Sequence, residues 1–297
     1  MTAKKETPMH YVTVKGILSP SGGMNLYRGC THGCIYCDSR SDCYQMHHTF
    51  EDIEVKQNAL VLLESTLRRK RKRCMIGTGA MTDPYIPLET QLGYTRGALL
   101  LIEKYGFGVT LQTKSDRVLR DLDVLKRIHA KTKAVVQMTL TTADEALCRV
   151  IEPNVSTTRE RFEALKVLRD NGIPTVVWLC PILPYLNDTE DNLRRILAMC
   201  IEAQVVGVIC FDMGLTLREG NREYFYRQLD RHFPQLKERY IREFGNRYVV
   251  SSPRNAVLMR QFHAICEANG MLHNNDEIFA YLRQFEEKNA PQQLTLW

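Results

Sequence analysis

Three cysteines fall within eight positions of the stretch NLYRGCTHGCIYCDSR: Cys30, Cys34 and Cys37, spaced C-x3-C-x2-C. Thiolates suit a soft metal or an iron–sulfur cluster. A closed structural zinc site takes four ligands, and these thiols stop at three. His32 sits too close in the chain to complete a tetrahedron comfortably, which leaves Cys43 or His47 as the local fourth ligand. Two chemistries stand at this point. One is a zinc site closed by Cys43 or His47. The other is a cluster that keeps one position for a bound molecule.

The elements that must hold these thiols follow from periodicity. Short β-rich runs alternate with amphipathic helical runs. GMNLYRG reads as a strand ending at the cysteines. IEVKQNALVLLESTLRR carries Ala59, Leu60, Leu63 and Leu67 at helical spacing. CMIGTG, GVTLQTK, AVVQMTLTT, PTVVWLCP and VVGVICFDM read as further strands, with helices between them. The helix STTRERFEALKVLRDNG opens on a capping box, Thr157 with Glu160, and stops at Gly172. Six β/α units in series imply parallel strands joined by right-handed crossovers. No G-x-G-x-x-G follows any strand, so the expected α/β fold is a partial TIM-like (β/α)6 barrel and not a doubly wound sheet. The expected division is a barrel over 12–216 with the cysteine loop at 30–37, a helical C-terminal extension over 217–286 and a flexible tail over 287–297.

In such a barrel chemistry gathers at the C-terminal ends of the strands. The cysteines lie just past the first strand. Thr82 and Asp83 follow the second, Lys114 and Ser115 the third, Thr139 and Thr141 the fourth, and Cys180 the fifth. A cation such as Lys114 at a strand end is a sensible anchor for a carboxylate. Asn187 and Asp188 also sit at a strand end, where Asp188 is well placed to cap the next helix.

The totals set the surroundings. The chain has 297 residues, 44% hydrophobic and 25% charged, as a globular protein with a real core requires. No run of eighteen apolar residues spans a membrane, and MTAKKETPMHYV has no signal-peptide core. The expected location is the cytoplasm, where thiols stay reduced. Of the ten cysteines, Cys74, Cys148, Cys200, Cys210 and Cys266 are scattered and read as packing. The net charge of +6 is a mild tilt toward anionic partners.

The cysteine spacing at this place in a β/α chain resembles the radical S-adenosylmethionine (SAM) superfamily. GTGAMTDPYIPLE, LQTKSDRVLRDLDVL, IEPNVSTTRERFEALKVLRDNGIP and PILPYLND resemble its spore photoproduct lyase-like group, over about residues 12 to 220. The resemblance implies that Cys30, Cys34 and Cys37 hold a [4Fe-4S] cluster whose fourth iron takes the amino and carboxylate groups of SAM. It implies that the backbone of Tyr36 lies near the adenine, that Thr82 contacts SAM and that Lys114 contacts its carboxylate. Thr139 or Thr141 adds a hydroxyl, and Asp83 and Ser115 line the same pocket. A one-electron donor such as flavodoxin or ferredoxin reduces the cluster. SAM then splits into methionine and a 5′-deoxyadenosyl radical, which abstracts a hydrogen atom from the substrate.

One departure concerns the end of that reaction. The lyase returns a hydrogen atom from a cysteine two residues before its counterpart of Thr82, and this chain has Ala80 there. Asp38 also follows Cys37 where the lyase has a tyrosine-rich stretch. The lyase reaction proper is therefore not expected, and Cys180 is the candidate substitute donor.

Two further stretches bear on partners. RRKRKR, 68–73, closes the first helix and so belongs at the bottom of the barrel, away from the cysteines. The last residues, QLTLW, resemble a bacterial sliding-clamp-binding motif through Gln293, Leu294, Leu296 and Trp297. Arg218, Arg222, Arg227 and Arg231 are available for phosphates or for nearby carboxylates. The combined expectation is a radical SAM enzyme acting on DNA or a nucleotide. The alternatives are a small-molecule, peptide or RNA substrate, or a non-catalytic, metal-bearing adaptor of the clamp.

Overall fold

The computed structural model describes residues 8–288. The chain opens with β1 (Met9–Val12), β2 (Gly23–Met24) and β3 (Tyr27–Arg28) and makes two 3-10 turns before β4 (Ile53–Lys56). Next come α1 (Ala59–Arg69), β5 (Met75–Thr78), α2 (Glu89–Leu92), α3 (Tyr94–Lys104), β6 (Gly108–Thr113) and α4 (Leu122–Lys131). They are followed by β7 (Ala134–Thr139), α5 (Glu145–Ile151), α6 (Thr158–Asp170), β8 (Thr175–Trp178), α7 (Glu190–Glu202) and β9 (Gly207–Ile209). The chain ends with β10 (Gly214–Thr216), α8 (Asn221–His232), α9 (Leu236–Phe244), β11 (Val249–Ser251), α10 (Asn255–Ala268) and α11 (Asn275–Arg283).

Strands β2, β5, β6, β7, β8 and β9 form one parallel sheet in chain order. Each crossover therefore returns to the adjacent strand, as in the expected partial barrel. All six residues of β7 are buried, because helices and barrel interior cover both its faces. The capping box of α6 forms as read: Thr157 takes the Glu160 amide, and Glu160 takes the Thr157 amide. Gly172 then leaves the helix at φ +72°. RRKRKR ends α1 and lies beside Phe285 and Glu287 at the bottom, where Arg73 pairs with Glu287 at 2.6 Å. No helix among the described residues is long and apolar enough to cross a membrane.

The structure corrects two local readings. GMNLYRG is not one strand. Met24 joins the barrel, whereas Tyr27 and Arg28 leave it to pair antiparallel with β4, which in turn pairs with β1. Tyr27 drives the split, since its ring is buried and its hydroxyl donates to the buried Glu89 carboxylate. IEVK is a strand and not a helix start. Ile53 and Val55 alternate inward with a period of two, and the helical period begins only at Ala59.

The C-terminal part is mostly helical, but it also contains the antiparallel pair β10–β11. Phe225 and Leu229 of α8 and Tyr240 and Phe244 of α9 pack on Ile35, Tyr36 and Leu183. Leu258, Phe262 and Cys266 of α10 join the main core, and Ile278 and Leu282 of α11 cover Val176 and Ile209.

Candidate functional site

Glycines and one neighbouring segment fix the cysteine loop. Gly29 sits at φ +85°, and a Cβ there would stand 2.7 Å from the Phe50 carbonyl. Gly33 sits at φ +71°, with Pro153 and Asn154 pressed against it. Neither position accepts a side chain without strain. The Cys30 amide donates to Phe50 O (2.9 Å) and the Ile35 amide to Ile151 O (3.0 Å). Asn154 donates through its amide to His32 O (3.1 Å) and through Nδ2 to Thr31 O (3.0 Å). Residues 151–154, which follow α5, thus splint the loop.

Cys30 and Cys34 are buried and Cys37 is half-buried. The three thiols act electrostatically on one another, so they face a common space. Burial pushes the Cys30 thiol up to about 12 and Cys34 well above its usual range. Such thiols give up their protons only to a metal. Among the described residues these sulfurs belong to no set of three His, Cys, Asp or Glu ligand atoms within 4.8 Å of one another. A zinc ion with Zn–S bonds of 2.3 Å needs tetrahedral edges of about 3.8 Å. At least one pair of these sulfurs therefore stands wider than a zinc edge, and thiolates on separate irons of a cluster need no such closeness. Cys43 is exposed with its sulfur 3.3 Å from Arg218 Nη1, and His47 is exposed. Among the described residues neither stands in a close ligand set with the trio.

The polar residues expected around the trio divide into two groups. The first is unpaired. Thr82 Oγ1, Thr139 Oγ1, Thr141 Oγ1 and His32 Nε2 are buried and have no hydrogen-bond partner among the described residues. Among the described residues Lys114 Nζ makes no hydrogen bond or ion pair, and it stands 6.0 Å from the centroid of the Tyr36 ring. Burial opposes the Lys114 charge, but Cys34, Glu152, Cys37 and Asp83 outweigh it and hold its pKa above the ordinary value. Buried polar groups in folded proteins are almost always paired. A group of unpaired hydroxyls beside a free ammonium and three open thiols fits the carboxylate and amino ends of an amino acid next to a cluster. The residues present therefore fit both a [4Fe-4S] cluster and SAM.

The second group is occupied in holding the first. Asp83 accepts from the Lys114 amide (2.7 Å), Thr113 Oγ1 (2.8 Å) and the Tyr85 amide (2.8 Å), and it lies 3.5 Å from His32 Nδ1. Its carboxylate thus aims Lys114 and His32. Burial lowers the His32 pKa, so the imidazole is neutral. Ser115 caps the 3-10 turn Asp116–Asp121 by accepting from the Arg117 amide. Gly79 makes the turn toward Thr82 possible, since at φ +100° a Cβ would stand 2.0 Å from Gln112 O. Asn187 donates to Thr141 O (2.7 Å) and accepts from the Leu183 amide. Asp188 accepts from the Tyr185 amide and from Ser252 Oγ. The cap of α7 is Thr189 and not Asp188, because the chain turns one residue later.

Cys180 is half-buried ahead of a cis proline. Burial pushes its thiol up to about 12, and the charge of Lys114 is the opposing influence, so the two share a space. Ala80 is exposed. Arg218 is bound to Tyr248 Oη (2.7 Å) and lies 3.4 Å from Asp38. Arg222 holds the carbonyls of Leu217, Gly245, Asn246 and Arg247. Asp230 pairs with Lys237. The residues Gln293, Leu294, Leu296 and Trp297 lie outside the described residues.

Sequence reasoning missed the network beneath the loop. Glu152 and Arg161 form an ion pair, both fully buried. Glu152 also accepts from the Tyr36 hydroxyl, and Arg161 donates to Thr139 O (2.7 Å). A signal was present: Arg161 shares the buried stripe of α6 with Ala164, Leu165 and Leu168. A cation on an apolar helix face needs a buried anion.

Comparison with known proteins adds three findings. The family model described as the radical SAM superfamily matches residues 24–197. An uncharacterized protein of Mycobacterium tuberculosis is 29% identical over 249 residues, covering 80% of this chain and 71% of the relative. One from Methanocaldococcus jannaschii is 32% identical over 169 residues, covering 56% and 62%. Among solved structures, spore photoproduct lyase complexed with dinucleoside spore photoproduct matches with a TM-score of 0.63 at 14% identity, over 89% of this chain and 81% of the lyase. A doubly mutated lyase with bound AdoMet and the same dinucleoside matches with a TM-score of 0.64 at 13% identity, over the same shares. At such identity these two likenesses speak for the fold alone.

Proposed function

We propose that this chain, which belongs to the radical SAM superfamily, is an enzyme that cleaves SAM reductively and acts on a nucleic-acid base or nucleotide. The observation that carries the cleavage is the set of unpaired polar groups at the strand ends, Thr82, Thr139, Thr141 and Lys114, with Lys114 close enough to Cys34 and Cys37 to feel their charge. A [4Fe-4S] cluster on Cys30, Cys34 and Cys37 supplies, when bound, the one electron that breaks the sulfonium of SAM, and an external flavodoxin- or ferredoxin-type protein supplies it in turn.

The residues of the chain do the rest. Lys114 holds the SAM carboxylate with a charge-assisted hydrogen bond, aimed by Asp83. The threonine hydroxyls accept and donate around the amino-acid end, and the backbone of Tyr36 lies along the adenine. Helices α8 and α9 lie over the loop and keep water from it. Cys180, protonated because it is buried, stands near Lys114 as the donor that returns a hydrogen atom to the product.

The nucleic-acid substrate is supported by the lyase-like motifs, and the likeness in fold to a lyase complexed with a dinucleoside is compatible with it. One observation favours a second reading, a small molecule, peptide or RNA. Arg218 and Arg222, two of the arginines expected to be available for phosphates, are spent on internal partners.

The test is anaerobic incubation of the iron-loaded, reduced protein with SAM, with and without ultraviolet-irradiated DNA, followed by mass spectrometry. The expected result is slow formation of 5′-deoxyadenosine that irradiated DNA accelerates, with deuterium passing from labelled DNA into the product. Iron-loaded wild type that makes no more product than Cys34→Ala overturns the cleavage. Cleavage indifferent to irradiated DNA overturns the substrate. Unchanged turnover in Cys180→Ala removes the proposed donor.

A further inference from the structure

On the far side of the cysteine loop, His10, His48 and Asp52 bring one ligand atom each within 4.8 Å of one another. His10 lies on β1, and the other two lie in the segment that leads into β4. Register puts Glu54 beside them: it is the partner of His10 in the parallel pair β1–β4 and faces the same side. We propose that these residues bind a divalent ion of the zinc class, with His10, His48 and Asp52 as ligands and Glu54 as the fourth donor.

The hydrogen bonds of His48 carry the argument. Its Nδ1 lies 3.0 Å from Thr49 O. A carbonyl can only accept, so Nδ1 carries the proton. The other nitrogen, Nε2, is buried and has no hydrogen-bond partner among the described residues. It faces Glu54 Oε2 at 3.7 Å, too long for a hydrogen bond. A nitrogen and a carboxylate oxygen 3.7 Å apart with no hydrogen bond between them leave room for a cation that both can ligate. An Nδ1–H bound to a backbone carbonyl is also how metal-ligating histidines are oriented. His10 Nδ1 and Asp52 Oδ2, 3.1 Å apart, supply a second nitrogen and an oxygen. The two imidazole rings meet edge to face at 4.8 Å between centroids, which points them at a shared space without stacking. Arg28, opposite Glu54 in the β3–β4 register, does not compete, because its guanidinium is turned to the carbonyls of Tyr44 and Gln45.

Two imidazoles with carboxylates are borderline donors that suit zinc better than magnesium or calcium. Bonds of about 2.0–2.1 Å to such ligands give tetrahedral edges of about 3.3 Å. Ligand atoms now within 4.8 Å reach that geometry by small side-chain rotations. The ion would tie β1 to the segment of residues 48–52. Phe50 in that segment accepts the Cys30 amide, and Phe50 and Asp52 carbonyls wall in Gly29. The site thus braces the cysteine loop from outside and takes no part in its chemistry.

The experiment uses the full chain with its iron loaded, so that Cys30, Cys34 and Cys37 do not compete for zinc. Zinc bound after equilibration against buffered free Zn²⁺ is measured by elemental analysis, beside the iron content and the melting temperature. The expected result is one zinc per chain and a melting temperature raised by zinc. His10→Gln and His48→Gln should each weaken zinc binding by at least about tenfold at unchanged iron content, and zinc should no longer raise their melting temperatures. Wild type that takes up no zinc at about 100 µM free ion overturns the proposal, since no site of this class is then present. Equal zinc uptake by wild type and both variants overturns it too, because the zinc then sits on stray thiols. Should either variant fail to match the circular dichroism of zinc-free wild type, Asp52→Asn replaces it in the comparison.

Discussion

Replacing Arg161 by Met removes the counter-charge beneath the cysteine loop while keeping most of the side-chain volume. Three things are lost at once. Glu152 loses its buried cation, Thr139 O loses its 2.7 Å donor, and the Cys148 sulfur loses a guanidinium 3.2 Å away. Breaking a buried pair by removing one partner costs about 3–5 kcal/mol; the Lys114 charge and the Tyr36 hydroxyl still act on the Glu152 carboxylate and hold the cost toward the lower end. For a chain of this size 1 kcal/mol corresponds to roughly 2–4 °C, so a loss of about 3–5 kcal/mol should lower the melting temperature by roughly 6–20 °C. The pH dependence supplies a sign. In the wild type burial resists ionisation of Glu152, but Arg161, Lys114 and Tyr36 outweigh it and hold the carboxyl below its ordinary value of 4.5. The wild-type contribution is therefore fully present above that value and is lost as pH falls through the lower, folded one. In Arg161→Met burial dominates, and Glu152 takes up a proton in mild acid. The deficit should therefore be largest near pH 8 and should shrink toward pH 5, as read by urea unfolding at both values. Glu152→Gln in the Arg161→Met background should recover part of the loss, because it leaves no buried charge. A cost below about 1 kcal/mol at pH 8, or a deficit that grows on acidification, refutes the account of this pair.

Lys114→Met should leave iron content unchanged and weaken SAM binding by about 10–100-fold, the worth of one charge-assisted hydrogen bond; equilibrium binding within twofold of wild type would contradict the assigned role. Thr139→Val should leave the stability of the ligand-free protein within about 1 kcal/mol of wild type or raise it, since the hydroxyl has no partner to lose, while SAM binds more weakly. Gly79→Ala should cost about 2–4 kcal/mol in urea unfolding, because its φ of +100° and the Gln112 carbonyl both exclude a Cβ.

The barrel strands were legible because parallel strands covered on both faces are written as continuous apolar runs, as in AVVQMT of β7. The cysteine loop and Lys114 were legible from spacing and from their place after strands. Several other features were not. Two-residue strands such as β2 and β3 carry too few positions to show a period, and the departure of Tyr27 from the barrel depends on Glu89, 62 residues away. The three-residue strands β10 and β11 pair across the whole of α8 and α9. Composition marks Thr82, Thr139 and Thr141 as polar, but only three-dimensional structure reveals that their hydroxyls have no partners. Asp83 read as a pocket residue, and the sequence gives no sign that its oxygens also accept from the Tyr85 and Lys114 amides and the Thr113 hydroxyl.

The aromatic side chains of α8 and α9 rest on Ile35 and Tyr36, between the second and third cysteines. A polypeptide cut after Thr216 would keep all six barrel strands but lose this ceiling. Its sulfurs would then meet solvent and dioxygen directly, so trimming everything beyond Thr216 should yield a colourless, oxidation-prone protein and not a minimal catalyst.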